Sequence, residues 1–86
     1  MTLRGTVVTH RGTRFALVEA DAELIDSQAE SVEALRFLAR RFPGLPILLM
    51  ATDASGRPRY RGPTELVRKA ATLKISGLPW NEFDVN

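Results

Sequence analysis

Arg57-Pro58-Arg59-Tyr60-Arg61 is the segment of this chain best equipped for chemistry. If it is extended, side-chain alternation puts Arg57, Arg59 and Arg61 on one face and Tyr60 on the other. A row of guanidinium groups at strand spacing can track phosphates and release their counterions. Arg68 and Lys69 follow nearby. The candidate anion or nucleic-acid contact is therefore Arg57, Arg59, Arg61, Arg68 and Lys69. An aromatic on the same surface could stack bases, but alternation turns Tyr60 toward a helix instead. The competing explanation is structural and favoured: Arg and Pro on an outer strand discourage edge-to-edge association.

The charge distribution sharpens this candidate. The net charge is only +2, and residues 1–43 balance six cations against six acids. Residues 57–74 carry Arg57, Arg59, Arg61, Arg68, Lys69 and Lys74 against Glu65 alone. Such a local basic patch hints at an anionic partner. Base composition of the genome would produce the same arginine-rich usage.

Carboxylates supply a second candidate. Asp21 and Asp53 fall just after two strand-like runs, and ligands of α/β sheets gather at the carboxyl ends of strands. If those strands are neighbours, the two side chains could converge on a divalent cation. Asp is also favoured at such junctions for local hydrogen bonding, and that reading ranks first. The segment Asp53-Ala54-Ser55-Gly56-Arg57 could offer backbone N–H groups and an Arg to an anion. It matches neither the phosphate-loop nor the dinucleotide glycine pattern, and it reads as a turn. No Ser lies in a G-x-S-x-G elbow. His10 is the only histidine; it lacks an evident orienting carboxylate and reads as a turn residue. The chain has no cysteine. Disulfides, thiolate-bound zinc and thiol redox chemistry are thereby excluded. No metal site and no cofactor are expected.

These residues must be positioned by a small fold. Eighty-six residues suit one domain, taken as 1–86, with a modest core and no covalent staples. Apolar residues make up 44% and charged residues 26%, which is globular composition and not that of a disordered chain. The longest apolar run, Leu45 to Ala51, is far short of the ~20 residues that span a bilayer. The N-terminal residues lack the apolar stretch of a secretory signal. No membrane association is expected, and the protein is read as soluble and cytoplasmic.

Thr6 to Thr9 and Thr13 to Ala20 are β-branched and apolar, and they flank Arg11-Gly12, which suggests a β-hairpin. Phe15 and Leu17 point one way while Ala16 and Val18 point the other, so the second strand belongs inside the sheet. Asp21 to Asp26 reads as a connector with some helical tendency. Ser27 with Glu30 fits a capping box. Val32, Leu35, Leu38, Ala39 and Phe42 then recur at helical spacing until Pro43-Gly44. Pro46 to Ala51 reads as a central strand, and Arg57 to Arg61 as an edge strand bearing Pro58. Gly62-Pro63-Thr64-Glu65 opens a second helix with apolar residues Leu66, Val67, Ala70 and Leu73, basic residues toward its end, and a break at Ser76. The tail, residues 80–85, is expected to pack through Trp80 and Phe83. The fold class is α/β (α+β), in the order β-β-α-β-β-α. It predicts a mixed four-stranded sheet packed with two helices, the second and third strands being parallel.

Gly44-Leu45-Pro46-Ile47, followed by two strands and a helix, resembles the C-terminal half of a thioredoxin-like domain over residues 44–74. In that family a cis-proline precedes a strand that starts a β-β-α unit. The redox cysteines are missing, and the N-terminal hairpin departs from the pattern. The resemblance is one of shape and implies no redox activity here.

Three functional classes follow in rank order. The first is a non-enzymatic protein-interaction or regulatory module, with a homodimer or another protein as partner. The second is a nucleic-acid-binding domain using the five basic residues. The third is a metal-assisted enzyme using Asp21 and Asp53.

Overall fold

The computed structural model describes residues 2–84. Five strands form one mixed sheet: β1 (Thr2–His10), β2 (Thr13–Glu19), β3 (Ile47–Thr52), β4 (Pro58–Arg61) and β5 (Asn81–Asp84). The helices are α1 (Ala22–Asp26), α2 (Gln28–Arg41) and α3 (Thr64–Ala70). The strand order is β4-β3-β2-β1-β5. Only β2 and β3 pair in parallel; β1–β2, β3–β4 and β1–β5 are antiparallel.

The α+β class and the parallel β2–β3 pair agree with the sequence reading. The strand and helix counts do not: the sheet has five strands instead of four, and there are three helices instead of two. The fifth strand is the tail. Asn81 to Asp84 holds two acids and an Asn, which are poor strand formers, so nothing local announces it. It forms because it pairs with Thr2–Gly5 at the other end of the chain, which also lengthens β1 beyond the expected Thr6–Thr9. Val85, assigned to the same tail, lies outside the described residues. The extra helix, α1, is five residues long, too short for helical periodicity to show. The second expected helix is shorter than its apolar spacing suggested and ends at Ala70. There the hydroxyl of Thr72 donates to the carbonyl of Lys69 at 2.9 Å, closing the last turn.

The β1–β2 turn has only two residues between the paired His10 and Thr13. Arg11 (φ 51°) and Gly12 (φ 78°) both adopt left-handed backbone, as a two-residue type I′ hairpin requires. His10 pairs directly with Thr13, so β1 ends abruptly.

Core formation follows from alternation on the two central strands. Ala16, Val18, Ile47, Leu49 and Ala51 face one way and meet Leu24 and Ile25 of α1 and Ala34 and Leu38 of α2. Phe15, Leu17, Leu48 and Met50 face the other way and meet Leu66 and Ala70 of α3. All four residues from Phe15 to Val18 are fully buried, as expected for a strand covered on both faces. The segment after α3 continues this second layer, with Leu73, Ile75, Leu78 and Trp80 packed against it.

Ser27 links α1 to α2. Its N–H donates to Glu23 at 3.2 Å, closing α1, while its hydroxyl accepts from the N–H of Glu30 at 3.2 Å, opening α2. That is the hydroxyl half of the expected capping box; the reciprocal half is replaced, because the Ser27 N–H is given to α1 carbonyls. β3, β4 and α3 follow one another in the expected order, but no cis peptide bond occurs among the described residues, so Pro46 departs from the cis-proline of the thioredoxin-like pattern.

Candidate functional site

The β3–β4 register decides where the arginines go. Arg59 lies opposite Ala51 and Arg61 opposite Leu49, while Tyr60 lies opposite Met50. Arg59 and Arg61 thus share the face covered by α1 and α2, and Tyr60 faces α3, as alternation predicted. Tyr60 packs in the α3 layer with its hydroxyl 3.5 Å from the carbonyl of Ala70. Burial pushes its pKa above the usual 10.0.

Both sheet-facing arginines grip the end of α1. The guanidinium of Arg59 donates to both carboxylate oxygens of Asp26, the last residue of that helix. The Arg61 Nε–H donates to the carbonyl of Ile25 at 2.7 Å. The Ser31 hydroxyl takes the neighbouring carbonyl of Leu24 at 2.8 Å. A helix C-terminus leaves carbonyls unpaired and carries partial negative charge; here a guanidinium and a hydroxyl satisfy them. The hydrogen bond from Arg59, with the charges of Arg59 and Arg61, holds the Asp26 carboxyl below its ordinary 3.8. The Asp26 carboxylate in turn raises the pKa of Arg59.

The remaining cations lie elsewhere. Arg68 and Lys69 belong to α3, on the opposite face of the sheet. Arg68 forms an exposed ion pair with Glu65 at 3.6 Å, and the ammonium of Lys69 donates to the Thr13 hydroxyl. Arg57 is exposed at the β3–β4 turn. The five candidate residues are therefore divided between the two faces and the turn, and three of them hold other parts of the fold.

The carboxylates resolve similarly. Asp53 Oδ1 accepts from the Ser55 N–H at 2.9 Å, the Ser55 hydroxyl at 2.7 Å and the Arg57 N–H at 2.9 Å. These bonds, the Ser55 hydroxyl first, hold its carboxyl below 3.8 and build the turn. Asp21 precedes α1 as an exposed residue whose side chain makes no capping bond. Among the described residues no three His, Cys, Asp or Glu side chains gather as metal ligands. His10 Nε2 lies 2.9 Å from the Thr72 hydroxyl. That hydroxyl already donates to Lys69, so the histidine is the donor, fastening the hairpin end to the segment after α3.

Trp80 and Phe83 pack against the two core layers, as expected of the tail; sequence reasoning missed the residues that clamp them. Arg4 bonds Glu19 at 2.9 Å and lies over Trp80, 5.3 Å from the ring centroid. On the other face Phe42 meets Phe83 edge-on at 5.8 Å, and Arg41 lies over both rings. Those partners were not visible locally, because they come from distant segments.

Also missed was a difference among the sheet's edges. The β4 edge carries Pro58, Arg59 and Arg61, and the β5 edge carries Glu82 and Asp84. The β5 ladder stops at Gly5. Beyond it, Thr6-Val7-Val8-Thr9-His10 has no strand partner on its outer side among the described residues and carries no Asp, Glu, Lys, Arg or Pro. Val7 stands 39% exposed on it. The available signal was the uncharged run itself. No protein-family model, curated protein or solved structure matches the chain significantly, and among the described residues no helix is long and apolar enough to cross a membrane.

Proposed function

We propose that this chain is a small non-enzymatic protein-interaction or regulatory module that engages a partner along the outer edge of β1. The carrying observation is the stretch Thr6–His10, which has no strand partner on one side among the described residues and contains no Asp, Glu, Lys, Arg or Pro. Sheet edges left in that condition accept another strand through backbone hydrogen bonds. The basic residues give less support to nucleic acid as the ligand, because Arg59 and Arg61 are bound to α1 and face away from α3.

A photo-crosslinking amino acid placed at Val7 tests the reading in producing cells, with the same group at Val32 as control. Both valines are exposed, at 39% and 42%, but Val32 lies on α2. A discrete protein adduct from position 7 and none from position 32 is expected, the adduct being identified by mass spectrometry. No adduct from position 7 removes the proposal. So does micromolar or tighter binding to DNA or RNA at physiological salt that is lost in Arg57→Ala/Arg68→Ala.

A further inference from the structure

We propose that the partner of the β1 edge is a second copy of this chain, docked strand to strand so that two five-stranded sheets become one. The inference rests on the module reading above and names its partner.

Geometry limits the occupant. The open lane beside β1 is bounded at one end by Asn81, which pairs with Gly5. At the other end it stops where β1 itself stops, at the two-residue turn of Arg11 and Gly12. Five residues, Thr6 to His10, fit between. An antiparallel strand entering this lane must therefore be short and must leave it sharply. The copy's own β1 meets both conditions, because its open stretch is the same five residues and its type I′ turn takes the chain back into its own sheet immediately after His10.

Symmetry then fixes the register. Two identical antiparallel strands that share their sheet faces are related by a twofold axis perpendicular to the sheet, so a residue on the axis faces itself. Centring on Val8 uses the whole lane: Val8 meets Val8, Val7 meets Thr9, and Thr6 meets His10. Centring on Val7 would bring Thr9 of the copy against Gly5, where Asn81 already sits. Centring on Thr9 would pull the turn residue Arg11 into the ladder.

The side chains suit this register. On the face shared with α1 and α2, the exposed Val7 of each copy is covered by Thr9 of the other, as cross-strand neighbours ~5 Å apart. An ionised residue in a symmetric antiparallel lane meets like charge across or near the axis, and Thr6–His10 contains no Asp, Glu, Lys or Arg. Both other edges do carry charge.

The absence of cysteine makes the test clean, because introduced thiols are the only ones. Sedimentation at 1–100 μM should show twice the 9.5 kDa chain mass, and Val7→Lys should shift it to the monomer. Val7→Cys chains mixed with Thr9→Cys chains under mild oxidation should form the mixed disulfide. Either variant alone should form little, since 7–7 and 9–9 pairs are diagonal neighbours at ~7–8 Å, beyond disulfide reach. A monomer at 100 μM overturns the proposal. A dimer without the selective mixed disulfide overturns it too, because the interface then lies elsewhere. If the chain is monomeric while position 7 still crosslinks another protein in cells, self-pairing fails and the module reading stands.

Discussion

Replacing Arg61 by Ala should destabilise the fold, although Arg61 lies on an outer strand in a segment that reads as solvated charge. Its Nε–H bonds the Ile25 carbonyl at 2.7 Å, and Ile25 itself is 4% exposed. A hydrogen bond from a charged donor contributes ~1.5–3 kcal/mol, and stranding the buried acceptor costs the upper part of that range. Arg61 is only half-buried, so water recovers some of the loss. The Ser31 hydroxyl cannot take over, because at 3.4 Å it is long for this carbonyl and already serves Leu24. The net cost is about 1–2 kcal/mol, and a domain of this size shifts about 4–8 °C in Tm per kcal/mol. Thermal unfolding followed by far-ultraviolet circular dichroism should therefore show a drop of about 5–15 °C. Protein concentration must be fixed, since self-association would move Tm by mass action. Arg68→Ala is the control: its pair with Glu65 is about three-quarters exposed on both sides and should change stability by under ~0.5 kcal/mol. Equal Tm values for the two variants would refute the clamp.

Two further outcomes follow from the geometry. Gly62→Ala should cost about 1–3 kcal/mol in urea unfolding, because a Cβ there would lie 2.9 Å from Leu48 Cδ1 and 3.1 Å from the Ile47 carbonyl; a neutral result would mean the β4–α3 junction relaxes freely. Asp26 and Asp53 are held below 3.8, by the Arg59 hydrogen bond and the Ser55 hydroxyl respectively, so their stabilisation is present above 3.8 and lost as pH falls through the lowered folded values. Acid titration should show this loss below about pH 4, and Asp26→Asn/Asp53→Asn should flatten it; an unchanged acid limb would show that other carboxyls govern it.

What could be read in advance was set by local pattern. Two-sided burial of β2 followed from apolar residues at both parities, and the existence of α2 from its cap at Ser27 and its spacing from Val32 to Phe42, although its buried face is Ser31, Ala34 and Leu38 while Val32 and Ala39 are exposed. The hairpin was legible from Arg11-Gly12 even though Arg is a poor residue for left-handed backbone. What escaped depended on distant partners. β5 forms by pairing with Thr2–Gly5 at the other end of the chain, and Asn81–Asp84 is held there by Trp80 seated under Arg4 and by Phe83 against Phe42. α1 is held by Arg59, Arg61 and Ser31 from other segments as well as by its own buried Leu24 and Ile25.

The same dependence explains why the basic segment was ambiguous. Alternation placed Arg59 and Arg61 on one face of a strand, but it is silent about what lies opposite that face. Phosphates would satisfy two adjacent guanidinium groups, and so does a helix C-terminus with a carboxylate at its last position. The second partner was already in the sequence as Ile25-Asp26, in a stretch too short to be recognised as a helix end. A row of charge is evidence for a ligand only after the chain's own carbonyls and carboxylates have been placed against it. Here Arg59, Arg61 and Lys69 have such internal partners, while Arg57 is exposed at its turn. Among the described residues Thr6 to His10 have no strand partner on their outer side, and an uncharged open edge of that kind is the stronger pointer to a binding surface.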